Sequence, residues 1–271
     1  MYDVSIVTAF YDIGRGQWTS DKGLPGYLHR PMDVYLQRFK YLTKLDNNIT
    51  VITAPNLVNV IAEYIGYCSN VTIIAFDLEK EMQHLKEQIS LIQTSDRFKK
   101  KINPMQLQNP EYWSADYVLV TGLKAFFVQH AIELGQVKND TVAWIDFGYC
   151  RSQTNIDGVT KWTVDFDPKL IHLFNYKDYT GENIATIVSN NDVYILGAKV
   201  VANKSLWSKL NQWMLESQLE LISQGLVDDD QGLWLNSYIN HPQDFELHRI
   251  PDHQLGHDPF VLFKKYNTSY E

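Results

Sequence analysis

The sequence predicts a single α/β domain in which a mostly parallel sheet is flanked by helices. Short runs rich in β-branched residues at 3–10 (DVSIVTAF), 49–53 (ITVIT), 71–76 (VTIIAF) and 141–146 (TVAWID) read as buried strands. Segments with helical apolar spacing separate them, and strands that alternate with helices favour parallel pairing through crossovers. No internal repeat, low-complexity tract or linker interrupts the 271 residues, a length that one domain can fill.

The first strand runs into a polar loop, Tyr11 to Trp18, which carries Gly14 and Gly16 and continues to Pro25 and Gly26. Over 32–45 the residues Val34, Leu36, Phe39, Tyr41, Leu42 and Leu45 make the apolar face of a helix. Pro55 stands where a helix through Val58, Ile61, Ala62 and Ile65 would begin. Residues 77–101 are charged and helix-leaning, and 102–113 are irregular, with Pro104 and Pro110. A helix is predicted over 114–135, stopped by Gly135. Segments 159–166 and 192–202 look extended, and 204–224 reads as a long helix ended by Gly225. Asp228, Asp229, Asp230 and Gln231 then lead into an apolar run at 232–239, followed by a loop-rich tail with His253 and His257.

Composition excludes several classes. With 24 basic and 32 acidic residues the formal charge is −8, which argues against a protein that wraps nucleic-acid phosphates. No run of 18 apolar residues suggests a transmembrane segment. The N-terminus lacks the basic region, long apolar region and cleavage site of a signal peptide. Cys68 and Cys150 form no Cys-x-x-Cys pair and read as buried thiols of a cytoplasmic protein.

Ligands of open α/β sheets bind beyond the carboxyl ends of the strands. Tyr11, Asp12, Gly14 and Arg15 follow the first strand; Asp146, Phe147, Gly148, Tyr149 and Arg151 follow the strand at 141–146. Asp146 reads either as a ligand for a divalent cation on a diphosphate or as a turn residue. The triplet Asp228, Asp229 and Asp230 is either an exposed acidic loop or, anchored by the apolar run behind it, a general base and acceptor-binding group. Arg15 in its glycine-bearing loop can meet a phosphate or lie on the surface. Lys124, in an otherwise apolar stretch, either snorkels outward or points into a pocket. Tyr11 either stacks on a base or packs. Gly-x-x-x-x-Gly-Lys-Ser/Thr, Gly-x-Gly-x-x-Gly, His-Glu-x-x-His and Gly-x-Ser-x-Gly are missing. Gly256 and the flanking prolines argue against a helical zinc pair at His253 and His257.

The segment from Ser5 to Gly16, the run Asn109 to Trp113, Lys124 in its apolar helix, the run Ala143 to Arg151, and Asp229, Asp230 and Gln231 together resemble the bacterial HtrL/YibB family over most of the chain. Members look like GT-A-type glycosyltransferases of lipopolysaccharide and surface-polysaccharide assembly. The resemblance implies a GT-A-like, Rossmann-type domain over 1–271, with a nucleotide-binding part about 1–150 and an acceptor-side part about 151–271. It implies transfer from a nucleotide-sugar donor, UDP-linked, to a saccharide or lipid-linked saccharide acceptor, with Mn²⁺ or Mg²⁺ as cofactor. Such an enzyme would be cytoplasmic, with room for peripheral contact at the inner face of the inner membrane.

Carried over residue by residue, Thr8, Ala9, Phe10 and Tyr11 line the nucleotide pocket, with Arg15 and Lys124 near the diphosphate. Asp146 takes the place of the first carboxylate of an Asp-x-Asp motif, and Gly148 stands where the second is expected. His257 is then the residue expected to complete the metal site. Asp229 or Asp230 is expected to take the acceptor proton in an inverting reaction, and Gln231 to contact the acceptor. Asp165 and Asp167 share the Asp-x-Asp spacing but precede Pro168 and read as structural. A sugar nucleotidyltransferase and a non-catalytic carbohydrate-binding protein, using tryptophans such as Trp18 and Trp113 as stacking faces, are the competing readings.

Overall fold

The structure is a computed structural model and is described for residues 1–250, so His253 and His257 lie outside the described residues. The strands are β1 (Tyr2–Phe10), β2 (Ile49–Thr53), β3 (Val71–Ala75), β4 (Thr141–Ile145), β5 (Thr163–Val164), β6 (Ile171–Asn175), β7 (Ile195–Asn203) and β8 (Phe245–Arg249). They form one sheet in the order β3-β2-β1-β4-β7-β6-β8, with β5 paired to β1. Every residue of β2 and β4 is buried, as are the last seven of β1, which is why these strands read as continuous apolar runs.

The helices are α1 (Met32–Leu42), α2 (Val58–Ile65), α3 (Leu78–Glu81), α4 (Gln83–Thr94), α5 (Asp96–Lys99), α6 (Ala115–Gly122), α7 (Lys124–Glu133), α8 (Ile184–Asn190), α9 (Trp207–Ser223) and α10 (Asp230–Asn240). Leu36 and Phe39 of α1 and Ile61 of α2 fill the core on one face of the sheet with Phe147 and Trp162. Ile89, Phe98, Val118, Phe127, Leu210 and Leu233, from α4 to α7, α9 and α10, fill the core on the other. No described helix is long and apolar enough to cross a membrane.

Four of the seven ladders are parallel; β7 runs antiparallel to both β4 and β6. From β1 the chain winds outward through β2 to β3, then returns to lay β4 on the other side of β1. The strand order therefore reverses between β1 and β4. Such a switch point opens a crevice beyond the carboxyl ends of the two strands.

Several elements depart from the sequence expectation. The helix expected over 114–135 breaks at Leu123 into α6 and α7. Gly122, next to the break, packs closely: a methyl there would stand 3.3 Å from Gln218 Nε2 and Leu233 Cδ1. The segment 159–166 contributes only β5, paired with Tyr2 and Asp3; beside it, Trp162 is held by Asn47, which accepts its N–H at 2.7 Å and donates to its carbonyl at 2.9 Å. The run 77–101 divides into α3, α4 and α5, with Asp77 and Ser95 as side-chain caps. Strands β6 and β8 and helix α8 add to the elements that the sequence pattern marks. Gly225 ends α9 with φ +63°, as expected for a glycine stop.

Candidate active site

A cavity of about 330 Å³ occupies the crevice between β1 and β4, within the range of small-molecule sites. Ala9, Phe10, Tyr11 and Arg15 reach it from the exit of β1, and Asp146 and Gly148 from the exit of β4. Tyr117 enters from the first turn of α6, Lys124 from the start of α7, and Asp229, Asp230 and Gln231 from the start of α10. The expected site residues thus converge, with two exceptions among those described. Thr8 is wholly buried in the sheet and does not line the cavity. Asp228 tucks its carboxylate against Gly232 instead.

Lys124 sits at the centre and is 6% exposed. Its Nζ donates to Asp146 Oδ1 at 2.8 Å, to Asp230 Oδ2 at 2.9 Å and to the Gly197 carbonyl at 2.9 Å. All three donors of the ammonium are therefore engaged. Burial alone would lower its pKa, but the two carboxylates overcome that and hold it above the ordinary lysine range. Trp144 Nε1 donates to the same Asp146 oxygen at 2.8 Å. Of the readings open for Lys124, the inward one holds: the start of α7 aims it into the cavity rather than outward.

The start of α10 forms an acidic floor. Asp229 caps the helix, its Oδ1 accepting from Gln231 N at 3.0 Å, and its Oδ2 receives the Tyr117 hydroxyl at 3.4 Å. Asp230 lies over Gly197, where a methyl would come within 2.7 Å of its Cγ, so only glycine admits that approach. Burial, followed by the neighbouring acids, pushes Asp228 and Asp229 well above the usual carboxylate range. Asp230 is raised as well, because burial outweighs the opposing pull of Lys124. Glu111, buried in the turn Pro110–Tyr112, is raised by burial to about 7, with a further push from Asp230. Carboxylates held this way are candidates to take or hold protons.

Part of the lining is cationic. Arg15 donates from Nε and Nη2 to the Leu28 carbonyl at 3.3 and 3.2 Å, and from Nη1 to Tyr35 Oη at 2.8 Å. Its guanidinium also faces the Trp18 ring at 5.1 Å. Arg30, Arg38 and Arg151 complete this wall. Burial first, then the charges of Arg30, Arg151 and Arg15, hold Arg38 below the ordinary arginine range. Mutual repulsion of that kind is relieved by an anion. Arg30, Arg38, Tyr35 and Glu111 were not singled out from the sequence. Tyr35 and Arg38 reach the cavity from α1 and Arg30 from just ahead of it, away from any strand exit; Glu111 lies outside the cavity lining and stood only inside the segment Asn109 to Trp113.

Tyr11 is tied down. Its hydroxyl donates to the Phe76 carbonyl at 3.1 Å and its ring stacks on Phe127 at 5.6 Å, so it builds wall. Gly148 has a steric reason: a methyl there would stand 3.0 Å from Tyr35 Cδ1, so a carboxylate side chain has no room while Tyr35 keeps its place. Asp165 pairs with the N-terminal amine at 3.5 Å and Asp167 caps its own turn at Lys169 N, both outside the cavity.

The carboxylates suit a divalent cation only in part. Lys124 stands between Asp146 and Asp230, and these acids do not draw together as a three-ligand cage among the described residues. Asp146, 38% exposed toward the cavity, could hold a Mn²⁺ or Mg²⁺ that takes its remaining ligands from a diphosphate and water.

A family model described as "Bacterial protein of unknown function (HtrL_YibB)" matches residues 2–265. Protein HtrL of Escherichia coli (strain K12) is 38% identical over 250 residues, which cover 91% of this chain and 87% of that protein. Among solved structures, the crystal structure of mouse xyloside xylosyltransferase 1 in its apo form aligns with a TM-score of 0.41 and 10% identity, over 97% of this chain and 93% of that one.

Proposed function

The chain belongs to the HtrL/YibB family, and from the shape and charge of its cavity we propose that it is a GT-A-type glycosyltransferase. It moves a sugar from a UDP-linked donor to a saccharide or lipid-linked saccharide of bacterial surface polysaccharide or lipopolysaccharide. A lipid-linked acceptor would place this work in the cytoplasm, at the inner face of the inner membrane. One observation carries the reading: four arginines and a pair of buried, proton-attracting carboxylates line the same cavity at the sheet's switch point. Sugar transfer from a diphosphate needs both.

The departing diphosphate lies against Arg38, Arg30 and Arg151, with Arg15 braced behind by Leu28 and Tyr35; fixed cations there stabilise the charge as it develops. Ala9, Phe10 and Tyr11 shape the nucleoside end. A divalent cation held by Asp146, where bound, supplies further neutralisation at the same diphosphate. Asp229 takes the proton of the acceptor hydroxyl, since a carboxylate raised by burial is the stronger base. Gln231 holds the acceptor, and the Lys124 clamp fixes Asp146 against Asp230 so that both substrates meet in line.

A thermal-shift panel of nucleoside diphosphates, nucleoside triphosphates and nucleotide sugars, with and without Mn²⁺, tests the reading. UDP and UDP-sugars should raise the melting temperature through linkage. A flat response overturns the proposal, and consumption of a triphosphate with a sugar phosphate would make the protein a nucleotidyltransferase. Near-normal turnover in both Asp229→Ala and Asp230→Ala would remove the base from the floor.

A further inference from the structure

Two strands that the cavity does not use carry a second cluster. Parallel pairing of β6 with β8 sets His172 opposite Glu246 and Phe174 opposite His248. Glu246 and His248 are two apart on β8 and so share a face. None of the three residues lines the cavity.

The chemistry of this cluster is set by one carbonyl. His172 Nε2 lies 2.8 Å from the Asp167 carbonyl oxygen, which can only accept, so Nε2 carries the ring proton and Nδ1 presents its lone pair. A histidine fixed this way by a backbone carbonyl is the usual outer-shell arrangement behind a metal ligand. That Nδ1 faces His248 Nε2 at 3.0 Å and Glu246 Oε2 at 3.4 Å. The three ligand atoms all lie within 4.8 Å of one another. A tetrahedral zinc at about 2.0–2.1 Å from its nitrogen ligands spaces them about 3.3 Å apart. The two measured edges bracket that value.

The rings are held as well. Phe166 stacks on His172 at 4.4 Å and on His248 at 4.6 Å.

We propose that His172, Glu246 and His248 form a zinc site, two imidazole nitrogens and one carboxylate with water in the fourth position, that clasps β8 to β6. Imidazole-rich sites favour zinc, whereas the all-oxygen surroundings of Asp146 suit Mg²⁺ or Mn²⁺. The inference is independent of the sugar-transfer reading.

The metal-stripped full chain is titrated with Co²⁺ and then Zn²⁺. One Co²⁺ per chain should give the visible bands of a tetrahedral site and be displaced by Zn²⁺. His248→Gln and Glu246→Gln should each weaken Zn²⁺ by about tenfold or more, a loss seen even for outer-shell partners. Asp146→Asn should leave it unchanged, which separates this site from the cavity. His172 is deeply buried, so His172→Gln risks misfolding; His248→Gln, at the half-buried edge and checked by circular dichroism, is the deciding variant. Absence of cobalt bands in the wild type, or a Zn²⁺ affinity within about twofold of it in His248→Gln, overturns the site.

Discussion

Lys124→Met removes the ammonium between Asp146 and Asp230 while keeping an apolar stem of similar length. Three contacts are lost, at 2.8 Å to Asp146, 2.9 Å to Asp230 and 2.9 Å to the Gly197 carbonyl. Asp230, 4% exposed, is left buried without its counter-charge, and removing one partner of a buried pair costs about 3–5 kcal/mol. Asp146, at 38% exposure, adds little because water can solvate it. Asp230 can escape the cost by binding a proton, since its raised pKa rises further once Lys124 no longer opposes burial. The folded chain then keeps a proton that the unfolded chain releases above about pH 4, so the variant is least impaired below that pH. Its deficit grows as pH rises and is complete above the folded pKa of Asp230. Urea unfolding of the wild type, Lys124→Met, Asp230→Asn and the double variant at pH 5 and pH 8 measures this. The single lysine variant should lose about 3 kcal/mol or more at pH 8 and less at pH 5, and Asp230→Asn should restore about 1–3 kcal/mol of the loss. A Lys124→Met cost below about 1 kcal/mol at pH 8, or strict additivity in the double variant, would refute the clamp.

Arg38→Ala should weaken UDP binding about tenfold by calorimetry while leaving the unliganded melting temperature unchanged or raised, because Arg38 is repelled by Arg30, Arg151 and Arg15. Gly197→Ala should displace the Asp230 carboxylate, costing about 1–3 kcal/mol in denaturant and most of the turnover. Glu111 holds its proton up to about pH 7 in the folded chain and to about pH 4 when unfolded, so its burial destabilises progressively as pH rises through that window. Glu111→Gln should therefore be more stable than wild type at pH 8, by up to about 3 kcal/mol, and equal to it near pH 4.

The parts of this fold that were legible in the sequence are those where local pattern and final environment agree. β2, β4 and the last seven residues of β1 are buried and read as short runs rich in β-branched residues. β6 (IHLFN) was hidden because His172 is a polar residue at a fully buried position, satisfied only by Asp167 and its strand neighbours. The break at Leu123 was hidden because apolar residues continue through it. In the cavity, Asp146 and Arg15 were visible as strand-exit residues and Asp229, Asp230 and Gln231 as an acidic start to an apolar run. Arg30 and Arg38 gave no such signal, since nothing in their local spacing marks the wall they join. Thr8 was expected at the nucleotide and instead faces the sheet interior, paired in register with Val51.

On the proposed reaction, the same charge distribution orders the steps. Asp230 and Asp146 share one lysine, so the acid whose charge is not clamped is Asp229, held by a backbone N–H and the Tyr117 hydroxyl. Before the donor binds, the arginine wall carries no anion, and Lys124 is the cation that opposes the raised pKa of Asp229. A diphosphate neutralises that wall and excludes water, and both effects push Asp229 further up. The base therefore strengthens only once the donor is in place, which protects the donor from premature hydrolysis. The pH dependence of kcat reports the loaded enzyme and that of kcat/KM the free one. The acid limb of kcat should then lie at higher pH than that of kcat/KM, and Asp229→Asn should abolish the acid limb of both. Coincident limbs, or a kcat limb at lower pH, would mean that the acid floor does not sense the diphosphate and that the proton leaves by another route.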